Sequence, residues 1–210
     1  MILVVIVMPW MSFQTRGLLK ELEFNPPRKT IYIQSIVMLT VLGVLAGIVD
    51  WHEVLLVSWF GKISFSVLVY GLSIYFLSLG VNLLHGKYFQ KEDDPEAEMI
   101  MPADKKEYAL WFLLCFTAAW SEEYVYRGVF TSLMEHFGMF PFLAAILSAT
   151  CFSFSHFTQG WLAIPITFAF ALAFQYLYKF SGVLLAPVIV HFLYNLSVEF
   201  LKRKLVRKEE

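Results

Sequence analysis

The stretch Ser121-Glu122-Glu123-Tyr124-Val125-Tyr126-Arg127 decides how this sequence is read. It lies inside an apolar run, with residues 109–120 before it and 128–133 after it. Charges at the centre of a membrane helix cost about 2.5–3.5 kcal/mol each on insertion scales, so such residues mark a functional site by default. Helical spacing sorts the three. Glu123 and Arg127 are four apart with the acid first, the favourable order for an ion pair. Glu122 projects about 100° away from that pair. The pair can neutralise itself, which leaves Glu122 as the spare carboxylate, available for a proton or for a metal. A buried structural network or a proton relay would use the same three residues, so the histidines have to be placed before the chemistry is read.

The 210 residues are 59% hydrophobic and 18% aromatic, with a mean hydropathy of +0.64. Soluble domains are usually about 45–50% apolar. The composition therefore specifies an integral membrane protein of one domain, with the lipid bilayer as a partner. The net charge of −1 points to no partner by itself, and no nucleic-acid partner is expected. Cys115 and Cys151 lie in apolar runs and read as packing residues, not as a disulfide framework.

Six full spans are expected, at 31–49, 63–84, 107–136, 142–157, 162–178 and 183–201, preceded by a short apolar segment at 1–13. That segment is short for a span, which needs about 20 residues. It lacks the positive leader and small-residue cleavage site of a signal peptide. The fold class is thus an all-α polytopic helical bundle. Residues 1–106 supply the N-terminal spans and a polar loop, 107–201 a helical core that holds the buried charges, and 202–210 a basic tail. The 107–136 stretch would run about 45 Å at 1.5 Å per residue, longer than a bilayer core. Turns are expected at Gly138–Pro141 and Ser181–Gly182, and a break at 158–160. Lys and Arg collect in the 16–30 linker, the 85–106 loop and the tail, against only Lys62 and Lys179 on the other side. The positive-inside rule then makes the linker, loop and tail cytoplasmic.

His156 closes Phe152-Ser153-Phe154-Ser155-His156. Glu122 and His156 are equidistant from the Gly138–Pro141 turn, so a helical hairpin places them at one depth, facing each other. A satisfied core histidine is the alternative reading. His191 and Asn195 share a face of the last span, four apart, in His191-Phe192-Leu193-Tyr194-Asn195. Counted from the Ser181–Gly182 turn, Asn195 falls near His156 and His191 about a turn deeper. Either could be simply an interhelical hydrogen-bonding group. His52, His85 and His136 lie near span ends and read as interface residues.

The deep polar set is Glu122, Glu123, Arg127, His156, His191 and Asn195. Glu122 can take a proton from water. Asn195 with a histidine can stabilise an oxyanion. Glu122, His156 and His191 also make a possible zinc set of two His and one Glu with an open position. The residues leave both routes open, and no Ser or Cys nucleophile with a nearby base is evident.

The three motifs, Glu122-Glu123-x-x-x-Arg127, Phe152-x-x-x-His156 and His191-x-x-x-Asn195, resemble those of the CAAX protease and bacteriocin-processing (CPBP, or Abi) intramembrane proteases. The likeness covers roughly residues 107–201. It implies an endopeptidase acting on a membrane-associated protein or peptide, its site open to the cytoplasm of a bacterial cell. The first Glu and first His would activate water, the last His and the Asn would form the oxyanion site, and the Arg would brace the Glu pair. The rival functions are a bacteriocin-immunity or scaffolding protein that keeps the fold without hydrolysis, and a proton-coupled transporter. Transporters often show paired, interrupted helices in two halves, and this sequence has no such repeat.

Overall fold

The computed structural model describes residues 7–10, 12, 27–89 and 102–206, and among them every regular element is helical. In chain order these are α1 (Arg28–Glu53), α2 (Phe65–Phe89), α3 (Tyr108–Glu122), a π-helical stretch (Glu123–Phe130), α4 (Thr131–His136), α5 (Pro141–Ser155), a 3-10 turn (Phe157–Gln159), α6 (Ala163–Ser181) and α7 (Leu185–Val206). The helix boundaries have local causes. Asp104 accepts the N–H groups of Lys106 and Glu107 at 2.7 and 3.1 Å, and Glu107 accepts the N–H of Ala103 at 2.7 Å, bonds that close the turn leading into α3. Pro141 opens α5, where its missing N–H costs nothing. Gly138 and Gly182, with φ of 85° and 69°, terminate α4 and α6 in the left-handed region that glycine adopts freely. Both expected turns are therefore present. The expected break at 158–160 is the 3-10 turn, ended by Gly160 at φ 104°.

Among the described residues, three helices are long and apolar enough to cross a membrane, Arg28–Glu53, Phe65–His85 and Ala163–Ser181. Pro141–Ser155 and Leu185–Val198 are apolar but shorter. The expectation of six full spans is therefore met in part. The 107–136 stretch is not one α-helix but three segments, α3, the π stretch and α4, because its backbone changes hydrogen-bond register at Glu123. Helix α7 continues to Val206, so the first residues of the expected tail are helical. The linker at 16–26, the segment 90–101 and residues 207–210 lie outside the described residues, as does most of 1–13.

Packing is organised around α3 and the π stretch. α1 lies along α3, α7 along both α3 and α2, and α5 along α6, with the π stretch touching α1, α5 and α6. Tyr124, Val125, Tyr126, Val129 and Phe130 are all buried in the main core. The outer face of α1 exposes Ile33, Val37, Val41, Val44 and Ile48, an apolar surface suited to lipid. The far end of the bundle is closed by the 54–64 loop, whose Ser58 and Trp59 carbonyls accept the N–H groups of Leu184 and Leu185. Asp50 holds the same end by accepting the Tyr124 hydroxyl at 2.8 Å.

The α1–α3 contact depends on Gly43. A Cβ there would sit 2.7 and 2.8 Å from the Trp120 ring carbons. Next to it the Ser121 hydroxyl donates to the Leu39 carbonyl at 2.6 Å. Close approach of this kind is how small residues pack membrane helices. Gly43→Leu is expected to destabilise the protein by about 1–3 kcal/mol, the usual range for overpacking. Thermal unfolding in detergent checks it, and an unchanged midpoint would refute the contact.

Candidate active site

Glu122 is the last residue of α3 and Glu123 the first of the π stretch. A π-helical turn inserts an extra residue into the ladder, and such turns recur at functional sites. Here it separates the two acids. Glu123 is fully buried, whereas the Glu122 side chain keeps 17% exposure and lines a cavity of about 450 Å³. The sequence-based separation of the two carboxylates is thus observed.

Glu123 Oε2 lies 3.3 Å from Arg127 Nε, as its spacing predicted. The rest of the guanidinium does not bond to the carboxylate. Its carbon sits 4.1 Å from the centre of the Phe152 ring and 5.7 Å from that of Phe174. Aromatic faces stabilise a desolvated guanidinium by cation–π attraction. Phe152 of the second motif therefore serves Arg127 of the first.

The other Glu123 oxygen, Oε1, accepts from His191 Nδ1 at 2.8 Å. A carboxylate paired with Arg127 can only accept, so Nδ1 carries the proton and Nε2 faces the other way. His191 Nε2 is 3.8 Å from Glu122 Oε2. Phe174 stacks on the His191 ring at 5.6 Å between centroids. The result is a chain of groups, Arg127 to Glu123 to His191 to Glu122, running from the dry core to the cavity wall. This link through Glu123 was not legible from the sequence, which placed His191 about a turn deeper than His156 and gave it no partner among the acids.

His156 ends α5 and also lines the cavity. Its Nδ1 donates to the Phe152 carbonyl at 2.8 Å, which leaves Nε2 as its free nitrogen. Asn195 lines the same cavity from α7. All six residues singled out from the sequence therefore converge: Glu122, His156, His191 and Asn195 on the wall, Glu123 and Arg127 directly behind it.

The zinc set of Glu122, His156 and His191 was tested against this geometry. Holding each Nδ1 on a protein acceptor leaves both Nε2 atoms able to ligate, but among the described residues no three His, Cys, Asp or Glu side chains form a group that could hold a metal ion. The residues as arranged do not fit a zinc site, and no step below passes through a metal.

Sequence reasoning passed over Tyr126 and Ser155, whose hydroxyls bond to each other at 3.0 Å and which both line the cavity. The signal was present, since Tyr126 is four residues from Glu122. It also passed over Ser78, Asn82 and Tyr194, which line the same cavity.

Fold and site together define a membrane-embedded centre in which carboxylates and imidazoles meet at a cavity. Residues 104–197 match the family model described as type II CAAX prenyl endopeptidase Rce1-like. That segment, a little under half of the chain, is similar to the CAAX prenyl endopeptidases, the family whose three motifs the sequence resembles. The family is one of proteases. No curated protein and no solved structure matches the chain.

Proposed function

We propose that the protein is an intramembrane endopeptidase that hydrolyses a peptide bond of a membrane-associated protein or peptide by glutamate-activated water. The observation that carries this is the position of Glu122, an acid on a cavity wall beside an imidazole whose far nitrogen is held by an Arg-braced Glu123. Glu122 takes a proton from water as the oxygen attacks the scissile carbonyl carbon, and returns it to the departing amine. His156 Nε2 orients the same water. His191, as an imidazolium with its Nδ1–H on Glu123, donates from Nε2 and with Asn195 stabilises the oxyanion, while Glu123 fixes the ring for that role. Arg127 balances Glu123 in surroundings where an unpaired charge would be costly.

The test is cleavage of a prenylated peptide ending in Cys-aliphatic-aliphatic-X, reconstituted with the protein in liposomes and read by mass spectrometry. Cleavage by the wild-type chain and none by Glu122→Ala supports the reading. Equal cleavage by both, or none by a folded wild type across prenylated and unprenylated apolar peptides, would remove it and favour a non-hydrolytic immunity or scaffolding role.

The cavity-lining residues sit in the helix halves nearest one end of the bundle, the end of His85, Trp111, Gln159 and Val198. The chain leaves the described helices toward the 90–101 segment and the basic tail at that end, so by the positive-inside rule it faces the cytoplasm; the family resemblance implies the plasma membrane of a bacterium. Cysteines introduced at positions 95 and 208, beyond the described residues, should be labelled only from the cytoplasmic side. Labelling of either from outside intact cells would reverse the orientation.

A further inference from the structure

Helix α2 is an apolar span with one polar stripe, Tyr75, Ser78, Asn82 and His85, spaced three, four and three residues apart. That spacing puts the four on one face. The stripe meets α7, where the Tyr75 and Ser197 hydroxyls bond at 2.6 Å and Asn82 Nδ2 donates to the Tyr194 hydroxyl at 2.9 Å. Ser78, Asn82 and His85 also line the cavity, with Tyr194 and Asn195 beside them. Interhelical packing accounts for Tyr75 and for one arm of the Asn82 amide, and not for Ser78.

Ser78 is only 1% exposed, and its hydroxyl has no hydrogen-bond partner among the described residues. Hydroxyls elsewhere in this bundle behave differently. Ser73, Thr117, Thr150, Ser155 and Thr167 each donate to the carbonyl four residues earlier. Ser78 makes no such bond. Asn82 likewise uses one arm of its amide on Tyr194 and leaves Oδ1 unpartnered and buried. Buried polar atoms are rarely left unmatched, and the exceptions call for a ligand or a role in mechanism.

We infer that the Ser78–Asn82 stripe is a substrate-positioning site, which takes the main chain of an extended apolar peptide in the cavity that Glu122 also lines. This rests on the hydrolase reading for its substrate class. An extended peptide presents N–H groups that the surrounding apolar side chains cannot match, and an amide oxygen and a hydroxyl are suitable acceptors. Asn82 also connects the stripe to the oxyanion group, because Tyr194 precedes Asn195 on α7.

Binding is measured by fluorescence anisotropy with two labelled heptapeptides of apolar centre, one prenylated and one not. The protein is the full chain carrying Glu122→Gln, so that turnover does not interfere. Ser78→Ala and Asn82→Ala in that background should each weaken binding about three- to tenfold, the effect of one net hydrogen bond. N-methylation of one peptide nitrogen should cause a similar loss in the parent and no further loss in Asn82→Ala. A structural role alone would not produce that non-additivity. Unchanged affinities, additive losses at every nitrogen, a loss explained by a lowered melting temperature, or no binding of either peptide would overturn the inference. Failure of the hydrolase reading would look different: the wild-type chain would bind the peptides with the same dependence on Asn82 and leave them uncut.

Discussion

Glu122→Gln is expected to lower turnover by about 10²–10⁴-fold, the usual contribution of a general base, while leaving the fold intact. The amide fills the volume of the carboxylate and keeps an acceptor oxygen, but it cannot hold the proton taken from water. The structural cost is small because Glu122 faces the cavity, and its nearest charged approach is 3.8 Å to His191. A partly solvated contact at that distance contributes less than about 1 kcal/mol. The measurement pairs single-turnover cleavage with thermal unfolding on the same preparation. His156→Ala should be slow as well, and the double variant little slower than Glu122→Gln alone, because groups acting on one water are not additive. A Glu122→Gln protein with wild-type turnover would move water activation to another residue and dismantle the mechanism.

How much of this could be read from the sequence depends on the kind of geometry involved. The Glu123–Arg127 pair was legible because both residues lie on one helix, four apart, where local spacing fixes contact. The shared cavity of Glu122 and His156 was legible because a single turn, Gly138–Pro141, joins their helices, so counting from it sets their depth. His191 follows neither rule. It reaches Glu123 through the packing of α7 on α3, two helices that are not neighbours in sequence, and counting from the Ser181–Gly182 turn gives a depth but not which side chain it meets. The π register at Glu123–Phe130 has no side-chain signature, since it is a property of the backbone ladder. It also explains why hydropathy suggested one long span where the structure has three shorter segments. The Ser78–Asn82 stripe was visible as polar residues at helical spacing, but its meaning depends on which hydroxyls find partners, and only three-dimensional structure supplies that.

Arg127→Ala is expected to cost about 3–5 kcal/mol, the range for breaking one side of a buried ion pair. Arg127 and Glu123 are 1% and 0% exposed, so no water can replace the lost guanidinium. Glu123 would be left with the single bond from His191 Nδ1, and the Phe152 ring would lose the cation lying 4.1 Å from its centre. Folded yield should fall, and the surviving protein should be slow because the His191 ring loses its fixed acceptor. Arg127→Lys should restore only part of the yield, since an ammonium carries the charge without the flat surface that stacks between Phe152 and Phe174. Adding Glu123→Gln to Arg127→Ala separates stability from catalysis. Removing the orphaned charge should recover stability relative to Arg127→Ala alone, giving a double variant less destabilised than the sum of the singles. Turnover should remain low, because a neutral amide does not hold the His191 proton as a carboxylate does. Unfolding midpoints and single-turnover rates for the four proteins decide it. Additive stability losses, or an Arg127→Ala protein that folds well and cleaves at the wild-type rate, would rule out the coupling of Arg127 to His191 through Glu123.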